Sequence, residues 1–212
     1  MSTDRALTVL ITGFGPFPGA PRNPTGALVA KLLRRRRPAL ADITLVGHVF
    51  PTSYAAVDRE LPKLLTRHAP DAILMFGLAA RRQRLSIETR ARNAVSALFP
   101  DAARSSGHLA SIVAGGPAAL LFGPHTRKLV AAARSRGVFA YPSRDAGRYV
   151  CNYLCWRAIE HGPRLAAFVH VPKLRAKIPI ARKRQHSPDL DDLVRGGEAI
   201  LVALVAAAQR RR

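Results

Sequence analysis

The sequence predicts an α/β fold, a three-layer α/β/α sandwich around a mainly parallel, twisted central sheet. Two observations carry that expectation. Short β-branched apolar runs alternate with stretches of helical period, the pattern of parallel strands joined through crossover helices. Hydrophobic residues make up 48% of 212, enough for a substantial core. No repeat or linker divides the chain, so residues 1–212 read as a single domain.

The elements follow in order. Residues 7–12 read as a first strand. A helix over 24–36 has Asn23 available as N-cap and Pro24 at its first position, where the missing N–H costs nothing. Residues 43–49 read as a second strand, and 54–67 as a helix with Ala55, Leu61, Leu64 and Leu65 as its apolar stripe. The continuously apolar run 72–76 fits a central strand covered on both faces. Residues 86–95 predict a further strand, 125–136 a helix and 138–141 a strand. A helix over 146–161 with Asp145 as N-cap, a strand over 166–171 and a helix over Leu190–Gln209 complete the chain. Segment 99–116, rich in Ser, Gly and Ala, and the basic, proline-containing segment 173–188 read as exposed loops.

The net charge of +21 raises the question of nucleic acid, since clustered Lys and Arg neutralise phosphates. The charge is dispersed, however, in short runs at Arg34 to Arg37, Arg81-Arg82, Arg182-Lys183-Arg184 and Arg210 to Arg212. Aromatics are only 6%, which leaves few stacking platforms, and no zinc-finger, RNP-like or helix-turn-helix pattern is present. Solvated basic surface is the favoured account, with nucleic acid the lesser one. No apolar run approaches the roughly 20 residues that span a bilayer. Met1 to Arg5 leads into the first strand without a signal-peptide pattern, so a cytoplasmic protein is expected. Cys151 and Cys155 share one helical face and imply no disulfide framework. No second Cys or His pair has ligand spacing, so neither a metal nor a cofactor is expected.

Chemistry concentrates in four places. Gly13-Phe14-Gly15-Pro16-Phe17-Pro18-Gly19 follows the first strand but is no phosphate cradle, because its prolines lack N–H donors. It suits either the wall of a small apolar pocket or a rigid turn with both Phe in the core. Glu88 could orient a histidine or form a surface ion pair with Arg90 or Arg92, and spacing favours the ion pair. His170 ends an apolar strand, where side chains reach the crevice in which α/β proteins bind ligands. Cys151 lies near a helix start; a thiolate there attacks carbonyls when an imidazole takes its proton, although such a Cys is also common core filler.

Together these pieces resemble the pyroglutamyl-peptidase I family of cysteine peptidases. Thr12-Gly13-Phe14-Gly15-Pro16-Phe17 with Asn23-Pro24 is similar to the family's opening motif, and Glu88, Ala91 and Asn93 to its E-R-x-A-x-N block. Gly147-Arg148-Tyr149-Val150-Cys151-Asn152 resembles the nucleophile block and His170-Val171-Pro172 the histidine block. Asp192 to Gly196 resembles the closing helix. The resemblance implies a thioester-forming exopeptidase that removes N-terminal pyroglutamate, with Cys151 as nucleophile, His170 as base and acid, and Glu88 orienting His170. It implies that Phe14, Phe17, Asn23, Gly77 and Val150 bind substrate, with the two Phe rings sandwiching the lactam, and that the chain forms a homo-oligomer, a dimer or tetramer.

The chain also departs from the pattern. The family's G-x-x-G-G-R stands here as Gly77-Leu78-Ala79-Ala80-Arg81-Arg82, and Thr89 replaces an Arg after Glu88. Leu98 falls near a usual Arg, Arg144 and Asp145 replace small or amide residues, and the Cys151–His170 segment is short. Two alternatives therefore stand beside the peptidase: an amidohydrolase of the same fold acting on another lactam or acylated amine, and a catalytically weakened relative whose basic surface binds an acidic partner.

Overall fold

The computed structural model describes residues 5–17, 19–96, 100–104, 111–163, 165–174 and 188–211. Its strands are β1 (Leu7–Phe14), β2 (Ile43–Phe50), β3 (Ala72–Leu78), β4 (Leu85–Glu88), β5 (Arg90–Arg92), β6 (Ala119–Leu121), β7 (Ala140–Ser143) and β8 (Leu165–Val171). Its α-helices are α1 (Thr25–Leu33), α2 (Tyr54–His68), α3 (Thr126–Ser135), α4 (Val150–His161) and α5 (Leu190–Gln209).

Six strands form one sheet in the order β2-β1-β3-β8-β4-β7. β2, β1, β3 and β8 are parallel, and β4 and β7 are parallel to each other but run opposite to β8. The expected mainly parallel sheet with helices on both faces is thus present, and the reversal at β4 sets it antiparallel beside β8, with β7 beyond it.

Side-chain alternation sorts the core into two layers. Val9, Ile11, Leu74, Phe76, Ala167 and Val169 bury one face under α1, α3 and α5. Leu10, Ile73, Met75, Ala166 and Phe168 bury the other under α2 and α4. His170 continues the second set by period, as do Ser86 and Glu88 on β4, whose neighbours Leu85 and Ile87 belong to the first. The second face carries the chemistry.

Three sequence expectations need correction. The single strand expected over 86–95 is broken at Thr89. Its N–H and hydroxyl both bond Ser143 O, its carbonyl accepts from Phe122 N, and the chain leaves the main sheet for the β5–β6 ribbon. Asp145 does not cap α4. Its Oδ1 accepts from Gly147 N at 3.1 Å, Gly147 adopts φ +80°, and the helix begins only at Val150. Cys151 therefore sits in the first turn rather than the second. Finally, α1 begins at Thr25, with Pro24 just outside it. Asn23 Oδ1 accepts from Thr25 N at 3.1 Å from one residue before the cap, a position Pro24 takes without a side-chain cap. The closing helix has the expected bounds and carries a reciprocal Asp189–Asp192 capping box. The loops expected over 99–116 and 173–188, and Leu98, lie wholly or partly outside the described residues.

Candidate active site

His170 is held from both sides of β8. Its register partner on β3 is Gly77, and on β4 it is Ser86. Glu88 is two residues beyond Ser86 on the same face, and its Oε1 meets His170 Nδ1 at 2.8 Å. The pair is buried, with Glu88 completely inaccessible. An imidazole whose Nδ1–H donates to a carboxylate presents an unprotonated Nε2, the form able to accept a proton.

Burial alone pushes the Glu88 carboxyl up, but His170, its register partner Ser143 and Arg82 outweigh burial and hold it below the ordinary value of 4.5. Sequence spacing favoured an ion pair of Glu88 with Arg90 or Arg92. The partner is Arg82, whose Nη1 lies 2.6 Å from Glu88 Oε1.

Cys151 is the second residue of α4, and its sulfur lies over Gly77. A β-carbon built on Gly77 would stand 2.8 Å from Cys151 Sγ and 2.6 Å from Phe168 Cζ. Phe168 meets His170 edge-on, with ring centres 4.9 Å apart. Gly77 is thus the gap through which the Cys151 sulfur, Phe168 and the histidine strand approach one another. Burial pushes the Cys151 thiol up to about 12, helped by the Glu88 charge and opposed by Arg82 and the residue's own backbone N–H. Cys155, one turn on, is wholly buried, and burial raises its thiol too.

Asn152 is fully buried and ties this helix start to β5. Its Oδ1 accepts from Arg92 N at 2.8 Å, and its Nδ2 donates to Arg92 O at 2.8 Å and Ala94 O at 3.0 Å. Asn93 performs a similar service for the 111–113 backbone, bonding Ile112 N and Val113 N.

The loop after β1 lies beside the site. Phe14 is buried against Phe50 with ring centres 6.1 Å apart, whereas half-buried Phe17 faces Tyr149 at 6.2 Å. Asn23 braces this loop, its Nδ2 donating to Gly15 O at 3.1 Å. Val150 is completely buried in the second-face core. Sequence reasoning missed Tyr54, which meets Tyr149 and Tyr153 edge-on and whose buried hydroxyl has no hydrogen-bond partner among the described residues. It also missed Arg82, read as part of a surface run. Neither carries a periodicity signal, because both are recruited by tertiary proximity alone. Among the described residues, no group of three or more His, Cys, Asp or Glu is placed to hold a metal.

A thiol in a helix's first turn and a buried imidazole oriented by an ionised carboxylate, converging on Gly77 of an α/β/α sheet, fit the site of a cysteine hydrolase. The comparisons make the class specific. The chain belongs to the pyroglutamyl peptidase family, whose sequence profile matches residues 7–210. It is 33% identical over 177 residues to a pyrrolidone-carboxylate peptidase of Pyrococcus furiosus, covering 81% of this chain and 84% of that one. A Gloeobacter violaceus pyrrolidone-carboxylate peptidase is 32% identical over 202 residues, 93% of this chain and 97% of the relative. The fold superposes on pyroglutamyl peptidase I of Bacillus amyloliquefaciens with TM-score 0.81 and 28% identity, over 94% of this chain and 97% of that one. The Thermococcus litoralis pyrrolidone carboxyl peptidase gives 0.82 and 26%, over 97% and 96%.

Proposed function

We propose that the protein is a cysteine exopeptidase that hydrolyses the amide bond after an N-terminal pyroglutamyl residue. The observation that carries the proposal is the buried 2.8 Å His170–Glu88 contact next to Cys151 in a chain of this family. Cys151 gives its proton to His170 as sulfur attacks the scissile carbonyl, and Glu88 stabilises the imidazolium that forms. Backbone N–H groups at the start of α4 receive the developing oxyanion. His170 then protonates the departing amine, leaving a pyroglutamyl thioester. Water, deprotonated by His170, cleaves it and regenerates the thiol.

Phe14 and Phe17 supply apolar walls for the lactam, Asn23 fixes the loop that carries them, and Gly77 and Val150 supply space and backbone beside the thiol. A lactam suits such a pocket because it carries no charged amine and needs only apolar walls and hydrogen bonds to its N–H and C=O. The same reading makes the chain a single catalytic domain acting in the cytoplasm as a homo-oligomer. Two free thiols are consistent with that compartment, and Leu121 and Phe139, 71% and 66% exposed, are apolar groups that association could cover.

The test is release of a fluorophore from a pyroglutamyl amide under reducing conditions, beside a panel of other acyl amides. Turnover should vanish in Cys151→Ala and largely persist in Cys155→Ala. Equal loss in two folded variants would remove Cys151 as the nucleophile, and preferred turnover of another acyl amide would move the assignment to the amidohydrolase.

A further inference from the structure

Arg82 joins three parts of the site through one guanidinium. Nη1 bonds both Glu88 Oε1, at 2.6 Å, and Ser86 Oγ, while Nη2 donates to the Asp145 carbonyl in the loop leading to Cys151. Its side chain is 23% exposed and Glu88 is inaccessible, so the contact lies on the protein side of the site. We infer that Arg82 is a positioning residue of the triad: it holds Glu88 as the acceptor of His170 Nδ1–H and ties the nucleophile loop to the same point. The inference rests on the peptidase reading for its assay but not for its geometry.

A buried carboxylate is costly unless a cation stands beside it. An imidazole ready to take a proton is neutral by definition, so before the reaction His170 supplies Glu88 with a hydrogen bond but no charge. Among the described residues, Arg92 pairs with Asp145 at 3.6 Å, and Ser143 offers Glu88 only a hydroxyl. Arg82, permanently charged, is the cation in contact with Glu88. Without it, burial would push the Glu88 carboxyl up against only the contacts of His170 and Ser143, and so favour its protonated form. A protonated Glu88 would donate to Nδ1, fix the Nε2–H tautomer, and leave His170 with nothing to accept the thiol proton.

The experiment compares wild type with Arg82→Met and Arg82→Lys, measuring kcat and KM on the pyroglutamyl amide from pH 5 to 9 and the alkylation of Cys151 by iodoacetamide over the same range. Arg82→Met should lower kcat at least about tenfold at pH 6 with KM within about threefold, and recover part of that loss by pH 8.5 as Glu88 ionises. Alkylation should be slowed in the same pH-dependent manner, and Arg82→Lys should regain at least about threefold of the lost rate at pH 6. A purely structural role would lower rate and thermal midpoint equally at every pH, and that result overturns the inference, as does a Met variant within twofold of wild type throughout. Wild type that alkylates readily but leaves the amide intact would refute the substrate assignment instead, and the alkylation profiles would still decide the role of Arg82.

Discussion

Replacing Gly77 by alanine should damage catalysis far more than folding. The added β-carbon would stand 2.6 Å from Phe168 Cζ and 2.8 Å from Cys151 Sγ, about 1 Å inside ordinary contact distance in both cases. Phe168 is fully buried in the second-face core, so the softer response is displacement of the half-buried sulfur. Overpacking of this size costs about 1–3 kcal/mol. For a chain of this length that lowers the thermal midpoint by roughly 2–12 °C. A reacting group misplaced by about 1 Å loses on the order of a hundredfold in rate. Steady-state turnover of the pyroglutamyl amide and thermal melts would be measured on the same preparations. Gly26→Ala is the control, because its new carbon meets only Val49 side-chain atoms at 3.6 and 3.9 Å and it lies in α1, where alanine is the better helix former. If Gly77→Ala kept kcat/KM within threefold of wild type, the sulfur would not be held over Gly77 as described.

Asn152→Ala should remove three hydrogen bonds, two to Arg92 on β5 and one to Ala94 just beyond it. At about 1 kcal/mol each the loss is about 3 kcal/mol, a fall of roughly 6–12 °C in melting temperature. A change under 2 °C would show that α4 is anchored elsewhere. Glu88 makes stability depend on acid in a defined direction. Its folded carboxyl lies below 4.5, so its contribution is fully present above that pH and is lost as pH falls through the lowered folded value. Urea titrations of wild type and Glu88→Gln should therefore differ most near neutrality and converge below pH 4.5. A constant gap from pH 7 to pH 3 would refute the assignment.

Most of the frame was legible because period and composition report on burial. The apolar runs of β8 and β3 are local signals of a covered sheet, and the apolar period of residues 190–209 gave the bounds of α5. Legibility failed where long-range hydrogen bonds redirect the chain. Thr89 is an ordinary strand former, and only Ser143 and Phe122, distant in sequence, pull it out of the main sheet. Asp145 looks like a cap because caps are read from spacing, yet its carboxylate closes a turn at Gly147 and delays the helix. The same limit hid Arg82. In sequence it is one Arg of a basic run, and its role exists only because β4 reverses beside β8.

The delayed helix start bears on how the thiol is activated. A first-turn position lets the helix dipole favour a thiolate, but by about 0.3–1 kcal/mol, less than one unit of pKa. Burial has moved the thiol from 9.0 to about 12, so the dipole cannot leave it ionised at neutral pH. In the proposed mechanism the proton therefore moves to His170 as the substrate is attacked, and the cost of that transfer depends on what surrounds the imidazolium. Once it has moved, charges alternate along the site: thiolate, imidazolium, the Glu88 carboxylate and the Arg82 guanidinium, the last two already in contact. Each neighbour in that row stabilises the next, and only the first two charges are created by the reaction. The Glu88–Arg82 pair is in place beforehand, so little of the protein must reorganise when the thiol reacts, which is the condition under which a half-buried, protonated cysteine can serve as a nucleophile.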